Sequence, residues 1–309
     1  MKKLEPQPTW EVLDSSKLTT FMDCPRRYFF EYVLGWRSDA PNNHLEFGTA
    51  WHDAMEHLLL NGYNDDSVIL AYDKFLAHYR QHFPESSDEL YAPKTPAKAL
   101  EALTLYAGYY LADLNEFETL YTEIAGTVPI NQAQVLHFRL DSICRERSTE
   151  RYFSLEHKTG SRLSRFWTDQ WPLSIQVGTY THVLHCLYPS DEVYGVRVNG
   201  TFFQKTGIKF QRLPIRKTME HMKQWLWNVT WWADQIAWQF ESLDSAYDEE
   251  VLTAFPQQPG SCTKYFGCPY HDFCLSWANP LHHCDVVPLG FKIEHWDPRE
   301  REATTRMDL

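Results

Sequence analysis

Acidic and basic side chains on two neighbouring predicted strands are the residues of this chain best suited to chemistry. Asp141 lies on the first strand, and Glu156, His157 and Lys158 end the next one. Because side chains alternate along a strand, Glu156 and Lys158 point to the same face. Paired strands bring opposed residues to about 5 Å, so Asp141 and Glu156 can share one hard cation such as Mg²⁺. Such a cation polarises a phosphate and activates water, which indicates a metal-dependent phosphodiesterase site.

Three cysteines near the C-terminus form a second candidate site. Cys262, Cys268 and Cys274 are separated by five residues each, in a segment with glycine and proline residues suited to wrapping a metal centre. Short Cys-x₂-Cys pairs are typical of zinc, and this wider spacing is less typical of a zinc ribbon. Iron–sulfur clusters need four thiolates, and Cys284 is one candidate for the fourth. A zinc site completed by a histidine also stays open.

The composition limits the class of protein. The chain has 309 residues, of which 43% are hydrophobic and 15% aromatic, enough for one large domain over residues 1–309. No apolar run is long enough to span a bilayer, and the first residues lack the apolar stretch of a signal peptide. We therefore expect a cytoplasmic protein with no membrane partner. In that compartment the seven cysteines favour metal binding or burial over disulfides. Cys144 and Cys186, at a predicted strand end and in a predicted helix, are expected to be buried.

The net charge of −12 is unusual for a protein that binds nucleic acid, because phosphate contacts need lysine and arginine. Much of the acid lies in three stretches that are expected to be solvated: 85–89, 113–118 and 244–250. Positive charge gathers after the candidate site, at Arg162, Arg165, Lys205, Lys209, Arg212, Arg216 and Lys217. A local basic face on an acidic protein is the favoured interpretation, and ordinary surface is the alternative.

Hydrophobic periodicity predicts an α/β fold with a mixed central sheet flanked by helices. A helical region over about 15–120 precedes a sheet core over about 120–216 with the order β-β-β-α-β. The strands are expected at 120–128, 135–143, 152–158, 193–204 and 209–215, with a helix over 173–187. A tryptophan-rich helix (217–241), a cysteine loop (256–284) and a tail (285–309) complete the chain.

Tryptophans crowd the helix predicted over 217–241. One set follows helical spacing and is expected in the core: Trp225, Val229, Trp232 and Ile236. A second set lies on another face: Trp227, Trp231 and Trp238. Core packing against the helical front third is the favoured interpretation for this second set, and a platform on which unpaired bases stack is the alternative.

Taken in order, these motifs resemble the PD-(D/E)XK nuclease superfamily, specifically its RecB/AddB-type and CRISPR-adaptation exonuclease branch. In that branch a helix histidine, a strand aspartate, an E-x-K strand and a Q-x-x-x-Y helix follow one another. The matching residues are His52, Asp141, Glu156, Lys158, Gln176 and Tyr180. The resemblance runs from about Ser15 to Cys274 and implies a restriction-endonuclease-like fold.

The resemblance also implies roles for these residues. Asp141, Glu156 and the carbonyl of His157 would hold Mg²⁺ or Mn²⁺, with His52 as a further ligand or water-positioning residue. Glu123, on the preceding strand, is a further acidic candidate whose alternative is a surface position.

Three other residues take catalytic or supporting roles in the same comparison. Lys158 would be the catalytic lysine, which orients the attacking water or steadies the charge that develops on the phosphate. Gln176 and Tyr180 would contact DNA or order the site.

The same branch carries a 4Fe–4S cluster in which an N-terminal cysteine precedes a Pro-Arg or similar pair. The sequence Cys24-Pro25-Arg26-Arg27 fits this pattern. The resemblance therefore implies a cluster bound by Cys24, Cys262, Cys268 and Cys274. Because such a cluster closes nearly the whole chain into one loop, we expect its main role to be stabilisation of the fold.

The resemblance implies a Mg²⁺- or Mn²⁺-dependent deoxyribonuclease, most simply an exonuclease acting on single-stranded DNA or duplex ends. Recombination, repair, phage or CRISPR-type DNA processing is the expected setting. The sequence has no G-x-x-x-x-G-K-[ST] motif, so unwinding would need a separate helicase or recombination protein. The alternatives are a catalytically silent iron–sulfur scaffold that binds DNA ends, and a zinc-bound interaction module.

Overall fold

Two compact units make up the computed structural model, which describes residues 3–264, 267–301, 305 and 306. The first unit consists of the described parts of Met1–Ala40, Thr127–Phe138 and Glu220–Arg301. The second consists of the described parts of Pro41–Gly126, Arg139–Met219 and Glu302–Leu309.

Helices dominate both ends of the chain. The α-helices formed by the described residues are α1 (Ser15–Asp23), α2 (Pro25–Tyr28), α3 (Asn43–Asn61), α4 (Asp65–Tyr79), α5 (Pro96–Tyr109), α6 (Asp113–Glu116), α7 (Arg165–Asp169), α8 (Ile175–Leu187), α9 (Met219–Leu243) and α10 (His271–Ser276). A single π-helical turn, Phe29–Val33, continues α2. Short 3₁₀ turns lie at Pro8–Glu11, Glu85–Tyr91, Asp244–Asp248, Pro259–Ser261, Pro280–His283 and Pro298–Arg301. None of these helices is both long enough and apolar enough to cross a membrane.

The strands among the described residues are β1 (Trp36–Ser38), β2 (Phe117–Pro129), β3 (Val135–Glu146), β4 (Tyr152–Gly160), β5 (Val193–Gln204), β6 (Gly207–Ile215), β7 (Phe291–Ile293) and β8 (Thr305–Arg306). The main sheet has the order β6-β5-β4-β3-β2, with the two-residue β8 paired to β2. Strands β4 and β5 run parallel, whereas the pairs β3–β4 and β5–β6 are antiparallel. The sheet is therefore mixed, as predicted.

Helices cover both faces of the sheet in the second unit. The parallel pair β4–β5 requires a crossover, and α8 lies within it. Gln176 of α8 donates a hydrogen bond to Glu156 on one face of β4. The next side chain along the strand, His157, lies beside the ring of Tyr106 from α5. Since neighbouring strand residues point to opposite faces, α8 and α5 lie on opposite sides of the sheet.

A buried aromatic cluster joins α3, α4 and α5 to the sheet. Phe47 of α3 contacts Phe75 and Tyr79 of α4, with ring centroids 5.0 and 6.0 Å away, and Phe203 of β5 at 4.8 Å. All four side chains are fully buried. This packing fixes α3, the helix that carries His52, against the sheet that carries Asp141 and Glu156.

The first unit has its own aromatic core. The ring of Tyr28 stacks on Phe255 at 6.0 Å, and Phe21 meets both rings edge-on. Asp14 begins α1, where its carboxylate accepts a hydrogen bond from the backbone N–H of Lys17 at 2.7 Å. The short strands β1 and β7 pair antiparallel at one edge of this unit.

Helix α9 departs from the sequence-based expectation. Trp225, Val229 and Ile236 are buried as predicted, whereas Trp232, the fourth residue of that set, is only partly buried. Trp227, Trp231 and Trp238 are instead exposed, by 66%, 42% and 57%. The preferred interpretation of these three as core residues is therefore wrong, because helical periodicity separates two faces without saying which one is covered.

The predicted helical region also ends slightly early. Helix α6 ends at Glu116 and β2 begins at Phe117, three residues before the expected start of the sheet core. The run Phe117–Tyr121 contains three residues with high strand propensity, Phe117, Thr119 and Tyr121. The strands themselves lie within a few residues of their predicted positions, and β5 spans the predicted residues 193–204.

Candidate functional site

The carboxylate of Asp141 is the centre of a buried polar cluster in the second unit. Strands β3 and β4 pair Ile143 with Ser154, and the same antiparallel register carried two residues further sets Asp141 opposite Glu156. One oxygen of Asp141, Oδ2, accepts a hydrogen bond from the backbone N–H of His157 at 2.7 Å. This contact holds the carboxylate against β4, where the sequence analysis expected it.

His52 reaches the cluster from α3. Its Nδ1 lies 3.0 Å from Oδ1 of Asp141. Burial disfavours the charged imidazolium, but the Asp141 carboxylate outweighs this effect and raises the pKa of His52 to about 9. The same pairing overcomes the effect of burial on Asp141 and holds its pKa below the usual range. In the absence of a metal ion, the two side chains therefore form an ion pair at neutral pH.

Glu156 and Lys158 point to the same face of β4, as strand alternation predicts. The ammonium of Lys158 lies 2.5 Å from Oε1 of Glu156. Burial and the nearby negative charge of Asp141 raise the pKa of Glu156. For Lys158, burial favours the neutral amine, but Glu156 and Asp141 outweigh it and raise the pKa. Lys158 is therefore a cation at neutral pH.

The second oxygen of Glu156 has an unusual environment. Oε2 is buried and has no hydrogen-bond partner among the residues that the structure describes. A buried carboxylate oxygen without a partner destabilises the folded protein, and native proteins normally pair such an oxygen with a hydrogen-bond donor, a water molecule or a metal ion. Glu156 thus offers one oxygen to Lys158 and keeps the other available for a cation.

Gln176 and Tyr180 complete the wall of the cluster from α8. The side-chain amide of Gln176 donates to Oε1 of Glu156 at 3.2 Å and to the hydroxyl of Tyr180 at 2.7 Å. Burial, with the carboxylates nearby, raises the pKa of Tyr180 far above its usual value, so its hydroxyl stays protonated. In this geometry the two residues order Glu156.

The imidazole of His157 points away from the cluster. Its Nδ1 lies 3.4 Å from the amide nitrogen of Asn199, and its ring packs beside Tyr106 on the opposite face of the sheet. Burial lowers the pKa of His157 to about 3, so the ring is neutral. Only the backbone of His157 can therefore take part in the site, consistent with the expected role of its carbonyl.

Glu123, on β2, lies in the same cluster. The sequence had left open whether this residue belongs to the candidate site. One ligand atom each from His52, Glu123 and Asp141 lies within 4.8 Å of the other two. Arg139 donates to Oε2 of Glu123 at 2.5 Å. Glu123 also has a backbone φ of 47°, in the left-handed region that non-glycine residues rarely adopt. This local distortion of the strand accompanies the placement of its side chain beside Asp141.

The donor set suits a hard divalent cation. One imidazole and two carboxylates, from His52, Glu123 and Asp141, have ligand atoms within 4.8 Å of one another, and Glu156 lies opposite Asp141 on the next strand. Oxygen ligands are those that Mg²⁺ and Mn²⁺ prefer. Two observations support this fit. The buried Oε2 of Glu156 has no hydrogen-bond partner among the described residues, and ligand atoms of His52, Glu123 and Asp141 are grouped together. The arrangement can bind a cation next to a fixed ammonium group.

Two features near the site were not found by sequence reasoning. Lys94 is buried, and its ammonium donates to the hydroxyl of Thr159 at 3.0 Å, next to Lys158. Nothing in the loop sequence around Lys94 signals this position. Arg212, assigned from the sequence to a basic face, instead makes a bidentate pair with Asp113 at 2.7 Å for both contacts. The charge of Arg212 is therefore paired with Asp113 within the second unit and is not part of a basic face.

The candidate cluster ligands come together in the first unit. Cys24, which is buried, lies between α1 and α2. Burial raises the pKa of Cys274 to about 11, and the charges of Cys24, Cys262 and Cys268 contribute in the same direction. Thiols influence one another in this way only at short range, so the four form one group.

Backbone and side-chain contacts hold the cysteine loop beside Cys24. The N–H of Cys268 donates to the carbonyl of Cys262 at 3.0 Å, and Gly267 between them has a φ of 100° that only glycine adopts readily. Ser261 donates to the carbonyl of Asp23 at 2.6 Å. The loop is thus anchored to the residue that precedes Cys24.

Arg26 and Arg27, the two arginines of the Cys24-Pro25-Arg26-Arg27 motif, lie close to the cysteine thiols. Arg26 is buried, donates to the carbonyl of Phe255 at 2.9 Å, and interacts electrostatically with Cys24 and Cys274. Arg27 interacts in the same way with Cys268. Two guanidinium groups therefore lie beside the thiols and can offset the negative charge of a thiolate-bound cluster.

The other cysteines lie apart from this group. Cys284, the alternative fourth ligand, donates from its thiol to the carbonyl of Leu281 at 3.2 Å. Cys144 is buried, as expected. Cys186 is exposed near the end of α8, so the expectation that it is buried is wrong.

Comparison with known proteins identifies the family. The sequence matches the family model of the PD-(D/E)XK nuclease superfamily over residues 15–275. None of the curated proteins compared with the chain matches it. The crystal structure of SSO0001 aligns with 12% sequence identity and a TM-score of 0.31, covering 74% of this chain and 78% of that one. On the strength of the family match, which covers most of its length, the chain belongs to the PD-(D/E)XK nuclease superfamily.

Proposed function

We propose that the protein is a Mg²⁺- or Mn²⁺-dependent deoxyribonuclease that degrades DNA from single-stranded or duplex ends. The observation that carries the proposal is the buried cluster of Asp141, Glu156 and Lys158, in which Oε2 of Glu156 is left without a partner among the described residues. Membership of a nuclease superfamily supports hydrolysis of phosphodiester bonds.

Asp141, Glu156 and the carbonyl of His157 are the proposed metal ligands, with His52 and Glu123 beside them. A divalent cation held there would supply Lewis acidity toward the phosphate and the attacking water. Since imidazole binds metal ions in its neutral form, a cation that took His52 as a ligand would displace its proton. The ion pair between His52 and Asp141 keeps both side chains in position before the cation arrives.

Lys158 is the proposed catalytic lysine. Because its pKa is raised, the side chain provides positive charge and does not act as a proton acceptor at neutral pH. Its side chain is about one-quarter exposed and its ammonium lies 5.9 Å from the ring of Trp171, so it can meet a phosphate at the mouth of the site. There it would stabilise the negative charge that develops on the phosphate oxygens.

Gln176 and Tyr180 are proposed as positioning residues. The amide of Gln176 links Tyr180 to Oε1 of Glu156 and so limits the rotation of that carboxylate. With Oε1 engaged by Lys158 and Gln176, the remaining oxygen Oε2 faces a single direction. This arrangement favours one metal geometry over several.

The four cysteines Cys24, Cys262, Cys268 and Cys274 are proposed to bind a 4Fe–4S cluster. A tetrahedral zinc holds its thiolates about 3.8 Å apart, since Zn–S bonds are about 2.3 Å long. Among the residues that the structure describes, no three cysteine sulfurs lie within 4.8 Å of one another. In a 4Fe–4S cluster each cysteine binds a different iron, which suits this wider group. Arg26 and Arg27 support the proposal because they can offset the cluster's negative charge.

The preference for DNA ends and the biological setting rest on the resemblance to the RecB/AddB-type and CRISPR-adaptation branch. We propose a role in recombination, repair, phage or CRISPR-type DNA processing, beside a separate helicase or recombination protein. The exposed Trp227, Trp231 and Trp238 of α9 are compatible with stacking of unpaired bases.

The decisive test is degradation of end-labelled single-stranded DNA by protein purified without oxygen, with Mg²⁺ or Mn²⁺ and with EDTA. Lys158→Ala should abolish cleavage, whereas Lys74→Ala, which removes an exposed lysine of α4, should not. A closed circular single strand and an RNA of the same sequence would report endonuclease and ribonuclease activity. We expect degradation of linear DNA only.

Each outcome discriminates between the hypotheses. If wild-type and Lys158→Ala proteins both bind DNA and neither cuts it, the protein is the iron–sulfur scaffold for DNA ends. Equal cleavage by both proteins would remove Glu156 and Lys158 from the active site. Purified protein that contains zinc but neither iron nor sulfide would support the zinc-bound module.

A further inference from the structure

A second group of metal-ligating side chains lies in the second unit, apart from the proposed active site. Glu46 belongs to α3, His78 to the last turn of α4, and His82 to the turn that follows α4. Oε2 of Glu46 lies 3.2 Å from Nε2 of His78 and 3.4 Å from Nε2 of His82. One ligand atom from each residue lies within 4.8 Å of the other two. Two imidazoles therefore converge on a single carboxylate oxygen.

These separations match those of a bound ion. Zinc binds histidine nitrogens and carboxylate oxygens at about 2.1 Å, and a tetrahedral arrangement places such ligands about 3.4 Å apart. The two observed separations are 3.2 and 3.4 Å. An ion could therefore enter the centre of the group with little movement of its ligands.

Asp53 supplies the outer contact that metal-binding histidines usually have. Its Oδ2 lies 3.4 Å from Nδ1 of His78, so His78 has a carboxylate on each ring nitrogen. In metal sites a carboxylate on the far nitrogen fixes the tautomer and increases the basicity of the ligating nitrogen. Asp53 therefore orients Nε2 of His78 toward the centre of the group.

The scaffold around the group is well packed. Tyr79, next to His78, is buried and donates its hydroxyl to Asn43 of α3 at 2.7 Å. Beyond His82, Phe83 stacks on Tyr79 with ring centroids 5.1 Å apart. Arg80 binds both oxygens of Asp88 at 2.7 and 2.8 Å, which fixes the turn that carries His82. The ligands are thus held on a rigid frame, as a metal site requires.

We propose that Glu46, His78 and His82 bind a divalent transition ion of the zinc type. Two imidazoles with one carboxylate select such an ion, whereas Mg²⁺ and Ca²⁺ prefer oxygen ligands alone. The ligands are partly exposed, so water fills the remaining coordination position.

The bound ion joins the end of α4 to α3. The group shares no residue with the proposed catalytic cluster, but Asp53 directly follows His52 on α3. Glu46 and His52 are six positions apart, about 9 Å along the helix axis. The ion therefore stabilises the helix that carries His52 without entering the reaction.

Zinc binding to the holoprotein, with its cysteine cluster assembled, tests this site. Zinc alone is the probe, and its stoichiometry and affinity are measured by equilibrium dialysis and by competition with a chromophoric chelator. His78→Gln, His82→Gln and Glu46→Gln should each weaken binding at this site at least a hundredfold, with the loss of one equivalent. Asp53→Ala should weaken binding ten- to a hundredfold and keep the stoichiometry. His44→Gln removes an exposed histidine of the same helix and should change nothing.

Zinc should also raise the melting temperature of the wild type but not that of His82→Gln. The proposal is wrong if His78→Gln and His82→Gln bind as many zinc ions as the wild type with the same affinity. It is also wrong if the wild type binds zinc only through its cysteines and catalytic cluster. If a histidine variant is unstable, zinc binding by Glu46→Gln tests the proposal instead, because this substitution preserves the shape of the side chain. Because the readout is zinc binding, the result is independent of the nuclease proposal.

Discussion

The proposed catalytic cluster and the cysteine cluster are held together in different ways. In the catalytic cluster opposite charges attract: Asp141 pairs with His52, and Glu156 pairs with Lys158. The strands β3 and β4 and the helices α3 and α8 carry these side chains. In the cysteine cluster the charged forms of the ligands repel one another, which raises the pKa of Cys274 together with burial. Much of its loop consists of turns and short helices.

This difference separates the expected effects of losing a metal. The catalytic cluster is already ordered by its own ion pairs, so removal of its cation should stop chemistry and leave the fold intact. Arg26 and Arg27 offset part of the thiolate charge, so loss of the proposed iron–sulfur cluster should destabilise the first unit.

Glu156→Gln should lower the rate of DNA cleavage about a thousandfold, because it replaces the carboxylate that faces both Lys158 and the proposed cation. The melting temperature should change little, since the two side chains have the same shape. Initial rates at saturating Mg²⁺ measure the effect. The control is Glu192→Gln, an exposed residue just before β5. A loss smaller than tenfold would contradict the proposed role of Glu156.

Cys24→Ser should remove the absorption of the proposed iron–sulfur cluster and lower the free energy of unfolding by about 3–5 kcal/mol, because the thiolate ligation that closes the loop is lost. Cys284→Ser should leave both unchanged, since Cys284 lies apart from the group. Visible absorption and thermal unfolding without oxygen measure the two effects. If Cys24→Ser melts at the wild-type temperature, the cluster has no structural role.

Among the described residues each unit buries one lysine, and the pair allows a comparison of pH dependence. Burial lowers the pKa of Lys94 in the second unit, and of Lys17 in the first, to about 8 from 10.5. The unfolded chain therefore binds more protons between these values, so stability rises with pH across that window. Between pH 7.5 and 9.5 the titration of Lys94 should raise the free energy of unfolding by about 2 kcal/mol.

Lys94→Met should remove this part of the pH dependence while keeping the aliphatic stem of the side chain. Urea unfolding at pH 7.5 and 9.5 measures the difference between the variant and the wild type. Lys17→Met should also reduce the pH dependence of the free energy of unfolding. It should in addition lower that free energy at both pH values, because the carbonyls of Thr9 and Val12 lose the ammonium group that donates to them. An unchanged slope in Lys94→Met would show that Lys94 titrates normally in the folded protein.

Gly200→Ala should lower nuclease activity about tenfold, because a single methyl group would displace a ring near the catalytic lysine. A Cβ atom at Gly200 would come within 2.5 Å of Trp167. Trp167 packs edge-on against Trp171, the ring beside the ammonium of Lys158. A tenfold change corresponds to about 1.4 kcal/mol.

Cleavage rates and melting temperatures of the two glycine variants together locate the effect. Gly108→Ala is the matched control, because nothing lies within 4 Å of its added methyl group. That helical position should gain slightly in stability. Wild-type activity in Gly200→Ala would mean that Trp167 and Trp171 do not position Lys158.

Sequence reasoning predicted the elements, and predicted that Asp141, Glu156 and Lys158 lie together at the candidate site, because both depend on local patterns. The alternation in β4 places Glu156 and Lys158 on one face wherever the strand lies. The pairing of consecutive strands then brings Asp141 beside them. The spacing of Gln176 and Tyr180 on a helix similarly determines that they meet, at 2.7 Å.

Contacts between distant residues could not be predicted in this way. The bidentate pair of Arg212 with Asp113 joins residues 99 positions apart, so Arg212 was assigned to a basic face. Glu123 reaches Asp141 through an unusual backbone conformation that no side-chain pattern signals. The group of Glu46, His78 and His82 comes from two segments whose relative rotation depends on packing.

By itself, the sequence determined which side chains are available for chemistry and which neighbours along a strand or helix share a face, since backbone geometry imposes those periods. The tertiary structure decided which of these faces are covered. It left Trp227, Trp231 and Trp238 exposed, and it placed His52 3.0 Å from Asp141 across 89 residues of chain. The physical reason is that burial and ion pairing depend on distances between elements, and these distances are set only when the whole core packs.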